Sequence, residues 1–410
     1  MLRAGSLLYA IYVCLIIALF LGGLIHIFSI NKLWASRELI KHSLVERCNT
    51  CFDFILENPD KLSTSGSSTI GLFNDGLLCN FEISSWGYFY NVSVNAFFKK
   101  DTITKSYLVG NADRNQSPAL YLSDSGQELK VSGTTRITGD MYLPRKKYNV
   151  VNILGNTQIN RPVITGKVFS SSQNLPPIQP IFLNLKYIKP TTTLQKIKKN
   201  QKVIRSFTSP PMFVHLDRGE SLDGYQLKGN FYIISNDTLQ INHTSMLEDV
   251  IIKAPKVIID EGFEGNLQIF GDKEVIIRSK VKLKYPSLIV IPASSKFREK
   301  KIMIEKETDI YGGLLIDGSD YDEKQKNHII IDESSTILGD IYCNGLLQLN
   351  GKVFGSVYTH QFNLETKSSK YSNVILNGEI DPTELPDDYI SLSIKNNLIK
   401  QRFAKVKNIQ

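Results

Sequence analysis

The sequence predicts a mainly β protein: an N-terminal transmembrane helix with a helical stalk, a small antiparallel sheet, then β-solenoid (β-helix-like) repeats. Three observations carry this expectation. Ser6 to Ile30 holds no Asp, Glu, Lys or Arg, and about 20 apolar residues cross a bilayer as a helix. A unit of the form apolar-x-Gly-x-apolar recurs widely, from Val131 to Ile380. Isoleucine, asparagine, lysine, serine and tyrosine are plentiful and alanine is scarce, a balance that suits strands.

The repeat unit is clearest around Gly139, Gly166, Gly229, Gly265, Gly312, Gly339, Gly351, Gly355 and Gly378. Ile337-Leu-Gly339-Asp-Ile341-Tyr342 and Val353-Phe-Gly355-Ser-Val357-Tyr358 align position for position, and Ile137-Thr-Gly139-Asp-Met141-Tyr142 is another strong copy. Weaker copies stand at Gly133 and Gly155. The step from Ile137 to Ile153 is sixteen residues, as is the step from Ile337 to Val353. Alternation puts the apolar residues on one face of a strand. Glycine inside such a pattern is costly unless the backbone bends there or another segment comes close. A bend at each half-rung lets the chain coil on itself, so that apolar faces stack into one core. Ordinary hairpins with glycine turns are the bland alternative.

Gly351-Lys-Val-Phe-Gly355-Ser-Val357 and Gly133-Thr-Thr-Arg-Ile137-Thr-Gly139-Asp-Met141 resemble the core pattern of the bactofilin family of polymer-forming β-helical proteins. The resemblance covers residues 118–170 and 225–380. It implies a non-enzymatic scaffold that assembles end to end.

In chain order, residues 1–5 are a short tail and 6–30 the membrane helix, an uncleaved single-pass anchor whose partner is the lipid bilayer. Residues 31–58 continue as a helical stalk with apolar positions at Leu33, Ile40, Leu44, Val45 and Phe52, ending near Asn58-Pro59. The short basic leader Met1-Leu-Arg-Ala-Gly5 and the helix that follows resemble type IV pilin-like proteins. Ser6 and Ala10 stand where those proteins carry an aromatic residue and a glutamate. That resemblance implies processing after Gly5 and a C-terminal part outside the cell membrane. Counting the positive residues Lys32, Arg37, Lys41 and Arg47 points the other way, to the cytoplasm. The expectation adopted is a bacterial inner-membrane protein whose large part is periplasmic or extracellular.

Residues 63–68 read as a loop, and 70–122 as a small antiparallel β region anchored by Trp86. Residues 123–170 read as solenoid rungs. A proline-containing basic insert follows at 171–224, with seven basic and no acidic residues between Lys186 and Arg205. Solenoid rungs resume over 225–380, where runs such as Leu288-Ile-Val-Ile291 suit strands buried on both faces. Residues 381–410 read as a basic cap or tail.

No active site stands out. Asp140 and Asp340 follow repeat glycines, where aspartate shapes turns. His215 and Asp217 share one strand face. The nucleophile elbow, phosphate loop and dinucleotide fingerprint are absent. Cys48, Cys51 and Cys79 suit a disulfide outside the cytoplasm, and without a second cysteine pair they do not make a zinc site. The acidic run Asp317 to Glu323 lacks the spacing of a helix-loop-helix calcium site. The expectation is therefore no enzyme, no cofactor and no metal. The functional reading is a membrane-anchored structural, scaffold or envelope interaction protein. Its expected partners are copies of itself and an envelope polysaccharide or protein; the +8 net charge comes without the aromatic interleaving of a nucleic-acid binder. A pilin-like subunit of a secretion, uptake or pilus machine is the alternative, and a β-helix carbohydrate-active enzyme the second.

Overall fold

A computed structural model describes residues 4–58, 66–71, 73, 75–112, 117–153, 163–178, 190–318, 326–366, 368–386, 389, 390, 392, 394 and 402–409. The protein is mainly β, with one long N-terminal apolar helix and a small antiparallel sheet.

The helix runs unbroken over Ala4–Glu57 and is long and apolar enough to cross a membrane. Its first part is exposed along its length, from Leu7 to Leu39. Its last turns are different. Leu44, Cys48, Cys51, Phe52 and Ile55 are buried, and this spacing makes one apolar stripe on a helix. The residues read as a stalk are thus half free and half docked.

The stripe docks on an antiparallel sheet formed by Gly66–Ile70, Leu78–Trp86, Phe89–Phe98 and Asp101–Asn111, with Phe403–Ile409 on the far edge. Three expectations are corrected here. The 63–68 loop becomes a strand from Gly66. The sheet ends at Asn111, because Leu120–Leu122 belongs to the parallel strands described below. The C-terminal cap or tail supplies a strand, paired antiparallel to Asp101–Asn111 through Phe403↔Asn111 and Ile409↔Ser106. Phe52 stacks on Tyr107 with ring centroids 3.9 Å apart. Asn49 Oδ1 accepts from Lys105 Nζ at 3.0 Å and from Tyr107 Oη at 3.1 Å. The helix is held by packing and by polar contacts at its rim.

The rest of the chain stacks in parallel. One inward column runs Val203, Leu227, Leu247, then Leu283, Ile310, Ile337, Val353, Ile380, Ile137 and Ile164. A second runs Ile233, Ile252, Ile269, Ile289, Leu314, Ile341, Val357, Leu120, Met141 and Val168. Fully burying such a side chain is worth about 1.5–3 kcal/mol, and nearly all of them lie in one continuous core.

The order of the stack is not the order of the chain. Residues 120–143 lie beyond residues 357–380, and Val163–Ser170 beyond those. The two repeat regions thus pack as one stack with the earlier region last. Ile137 stands beside Ile164 and Ile380, not beside Ile153; Gly155 lies outside the described residues. At the opposite end the basic insert is corrected. Thr192–Thr193, Lys202–Arg205 and Met212–Leu216 pair in parallel, the last two directly on Gln226–Ser235. Leu194 and Ile197 fill the core beneath them, while Lys196, Lys198, Lys199 and Lys202 point to solvent.

One outer face of the stack is covered. Phe270, Val290, Leu315, Tyr342 and Tyr358 face outward from successive strands and pack with Trp86, Phe89, Ile390, Leu392 and Ile409. This explains the runs that are apolar at every position. Trp86 is buried in this seam, edge-on to Phe207 at 5.1 Å.

Candidate functional site

The repeat glycines mark where strands approach most closely. A Cβ on Gly355 would fall on the carbonyl of Gly339, one on Gly339 on that of Gly312, and one on Gly166 on that of Gly139. These positions form a column through which the backbone turns. Asp140 and Asp340 belong to it. Asp140 Oδ1 accepts from Lys167 N at 2.9 Å, and Asp340 Oδ1 accepts from Ser356 N at 2.9 Å. Each aspartate thus ties its turn to the equivalent turn between the neighbouring parallel strands. Asp340 Oδ2 also accepts from Leu392 N at 3.0 Å. Gly265 departs from this role: it stands in the inward column itself, where a Cβ would meet the Phe263 ring. Gly229, Gly312, Gly351 and Gly378 also face backbone or side-chain atoms that leave no space for a Cβ.

His215 and Asp217 are near each other, with Nε2 to Oδ1 at 3.7 Å. Neither Asp140 nor Asp340 joins them. Among the described residues no group of three His, Cys, Asp or Glu side chains could hold a metal ion. Most of the acidic run after Gly318 lies outside the described residues.

Among the described residues, grooves open on the stack at two places. One, of about 410 Å³, is lined by Lys202, Lys228, His243, Glu248, Glu264 and Lys284. Its charges are largely matched: Lys228 pairs with Glu248 at 2.5 Å and Lys284 with Glu264 at 2.7 Å. The Lys228 ammonium holds the Glu248 carboxyl below its usual range. The other, of about 670 Å³, lies beside Tyr121, Tyr142, Phe169, Tyr358 and Asp140. There Tyr358, Tyr121, Tyr142 and Phe169 stack at centroid spacings of 6.1, 5.3 and 5.2 Å.

The contacts that join the sheet to the stack had no signal in the sequence. Lys407 Nζ reaches both oxygens of the buried Asp249, at 2.8 and 2.7 Å. Gln268 accepts from Tyr88 N at 2.7 Å and donates to Trp86 O at 3.2 Å.

The three cysteines sit where the helix meets the sheet, all buried and all free thiols in this structure. Burial pushes the Cys48 thiol up. The remote Cys343 is fully buried, which pushes its thiol up to about 12.

No protein-family model matches the chain. No curated protein matches it either. Among solved structures, the crystal structure of the competence-associated pilin ComZ from Thermus thermophilus is similar at 11% identity, with a TM-score of 0.18, covering 84% of this chain and 87% of that chain.

Proposed function

We propose that the protein is a single-pass, non-enzymatic subunit of the bacterial envelope that carries a β-solenoid as an interaction surface. One observation carries the reading. The sheet that grips the helix is closed by Phe403–Ile409, paired with Asp101–Asn111. Everything between those strands is an excursion mounted on the anchored sheet. The in-register parallel ladders and the glycine column support the solenoid reading. The engaged aspartates favour a structural role over an enzymatic one. Envelope polysaccharide, an envelope protein or a second copy are the partner classes that fit an exposed, ridged, charge-patterned surface.

Placement outside the cytoplasm is tested with Asn236→Cys, an exposed position, in place of the buried Cys343. A membrane-impermeant maleimide should label it in cells with a permeabilised outer membrane, before lysis. Labelling only after lysis would put the stack in the cytoplasm and sink this placement.

A pilin-like build is the second reading. It is favoured by a helix whose first part is apolar and exposed and whose last turns are buried under an antiparallel sheet. It requires a mature N-terminus at Ser6. Intact mass of the membrane-extracted protein decides it: a chain still carrying residues 1–5 leaves the scaffold reading alone.

A further inference from the structure

We propose that Cys51 and Cys79 are a disulfide-forming pair that fastens the anchor helix to its sheet. The proposed placement outside the cytoplasm bears on where the bond forms and not on which sulfurs it joins.

The geometry selects this pair from three cysteines. Cys79, on the strand Leu78–Trp86, directs its Sγ to the carbonyl of Arg47 at 3.7 Å. Arg47 lies one helical turn before Cys51. Helical side chains lean toward the N-terminus, so the Cys51 sulfur covers that same turn. Both sulfurs are thus brought to the same turn of the helix, inside the same apolar cluster. Cys48 is turned elsewhere: its Sγ reaches Val94 O at 3.8 Å and Ile103 O at 3.5 Å, on the next two strands. All three are buried in one apolar cluster. A structural zinc site needs four ligands, and none completes this one among the described residues. A pair of thiols facing the same helical turn from two elements is the arrangement left.

The bond forms by thiol–disulfide exchange. The thiolate of one of the two cysteines attacks one sulfur of an oxidised dithiol oxidoreductase and displaces the other as a thiolate. The second cysteine, its proton lost to solvent, then attacks the first cysteine's sulfur in the mixed disulfide and releases the second thiolate. Cys51 and Cys79 lose two electrons and two protons; the oxidant's disulfide becomes a dithiol. Since both sulfurs are buried once the helix has docked, the exchange belongs to folding, before the helix settles.

The experiment uses the full chain in its membranes, acid-quenched, alkylated and digested without reduction. Peptides are then mapped by mass spectrometry, with a parallel sample treated with diamide in mild urea before quenching. The expected result is a linked peptide joining residues 51 and 79, with Cys48 and Cys343 alkylated. Linkage only after diamide supports the pairing and counts against the placement outside the cytoplasm. Alkylation of Cys51 and Cys79 in both arms overturns the pairing and leaves the placement untouched, as does a linked peptide joining residues 48 and 79. Cys48→Ser should leave the 51–79 linkage intact, which guards against scrambling as its source.

Discussion

Gly355 stands over the carbonyl of Gly339, and any side chain there must displace the backbone of the neighbouring segment. Gly355→Val is therefore expected to cost about 1–3 kcal/mol or more, as overpacking does. The exposed Lys273→Ala should stay within about 0.5 kcal/mol. Thermal unfolding of the two variants checks this; equal midpoints would remove the glycine column as a constraint. His328 makes a pH prediction. Burial first, and then Lys301 nearby, lower its pKa to about 4, while Glu365 opposes the shift and Lys370 adds to it. The unfolded chain binds the proton near pH 6.5, so acid favours unfolding. The stability tied to neutral His328 is present above about 6.5 and is lost as pH falls toward about 4, by at most about 3 kcal/mol. His328→Gln should flatten the stability curve in that window, measured by denaturant midpoints across pH. An unchanged slope would show that His328 is not the group.

At the scale of elements, the seam between sheet and stack depends on one buried carboxylate and one lysine. Lys407→Met leaves Asp249 buried and without the Lys407 ammonium, while Asn266 Nδ2 still donates to it. The expected cost is about 3–5 kcal/mol. Adding Asp249→Asn should recover much of it, and a double-variant cycle by chemical denaturation measures the coupling. Additive effects would mean the pair does not act as a unit. The sulfur bridge proposed above would close a loop of about thirty residues, worth about 3–4 kcal/mol in the chain-entropy account. Dithiothreitol should therefore lower the unfolding midpoint of the helix–sheet unit in wild type and leave Cys79→Ser unmoved. How much of this was legible follows from range. The helix and the glycine unit are periodic and local, so period 3.6 and period 2 reveal them. Lys407 and Asp249 are 158 residues apart, and no local pattern links them. The insert was misread because Leu194 and Ile197 are spaced among lysines that only the stacked geometry sends outward.

At the scale of the molecule, the helix and the sheet form a mount, and the parallel stack is held by its outer face to that mount. Phe403–Ile409 belongs to both, since it pairs with Asp101–Asn111 while Ile409 packs in the seam and Lys407 reaches Asp249. Removing residues 403–410 should bare the edge of Asp101–Asn111 and orphan Asp249 together. Limited proteolysis should then cut within residues 66–111 while the stack resists. A digest identical to that of the intact chain would show that the last strand is dispensable. The sequence repeats did not reveal the stacking order, because each apolar-x-Gly-x-apolar unit can sit on any other. Only the pairings of Val357 with Leu120 and of Ile380 with Ile137 fix it.

That order has a price in time. A chain appearing from its N-terminus exposes residues 118–170 early, yet the surface they rest on is made of residues 357–380. More of the chain must emerge before those short apolar strands have a floor. Until then they are unpaired edges of the kind that recruit holdase chaperones and invite wrong partners.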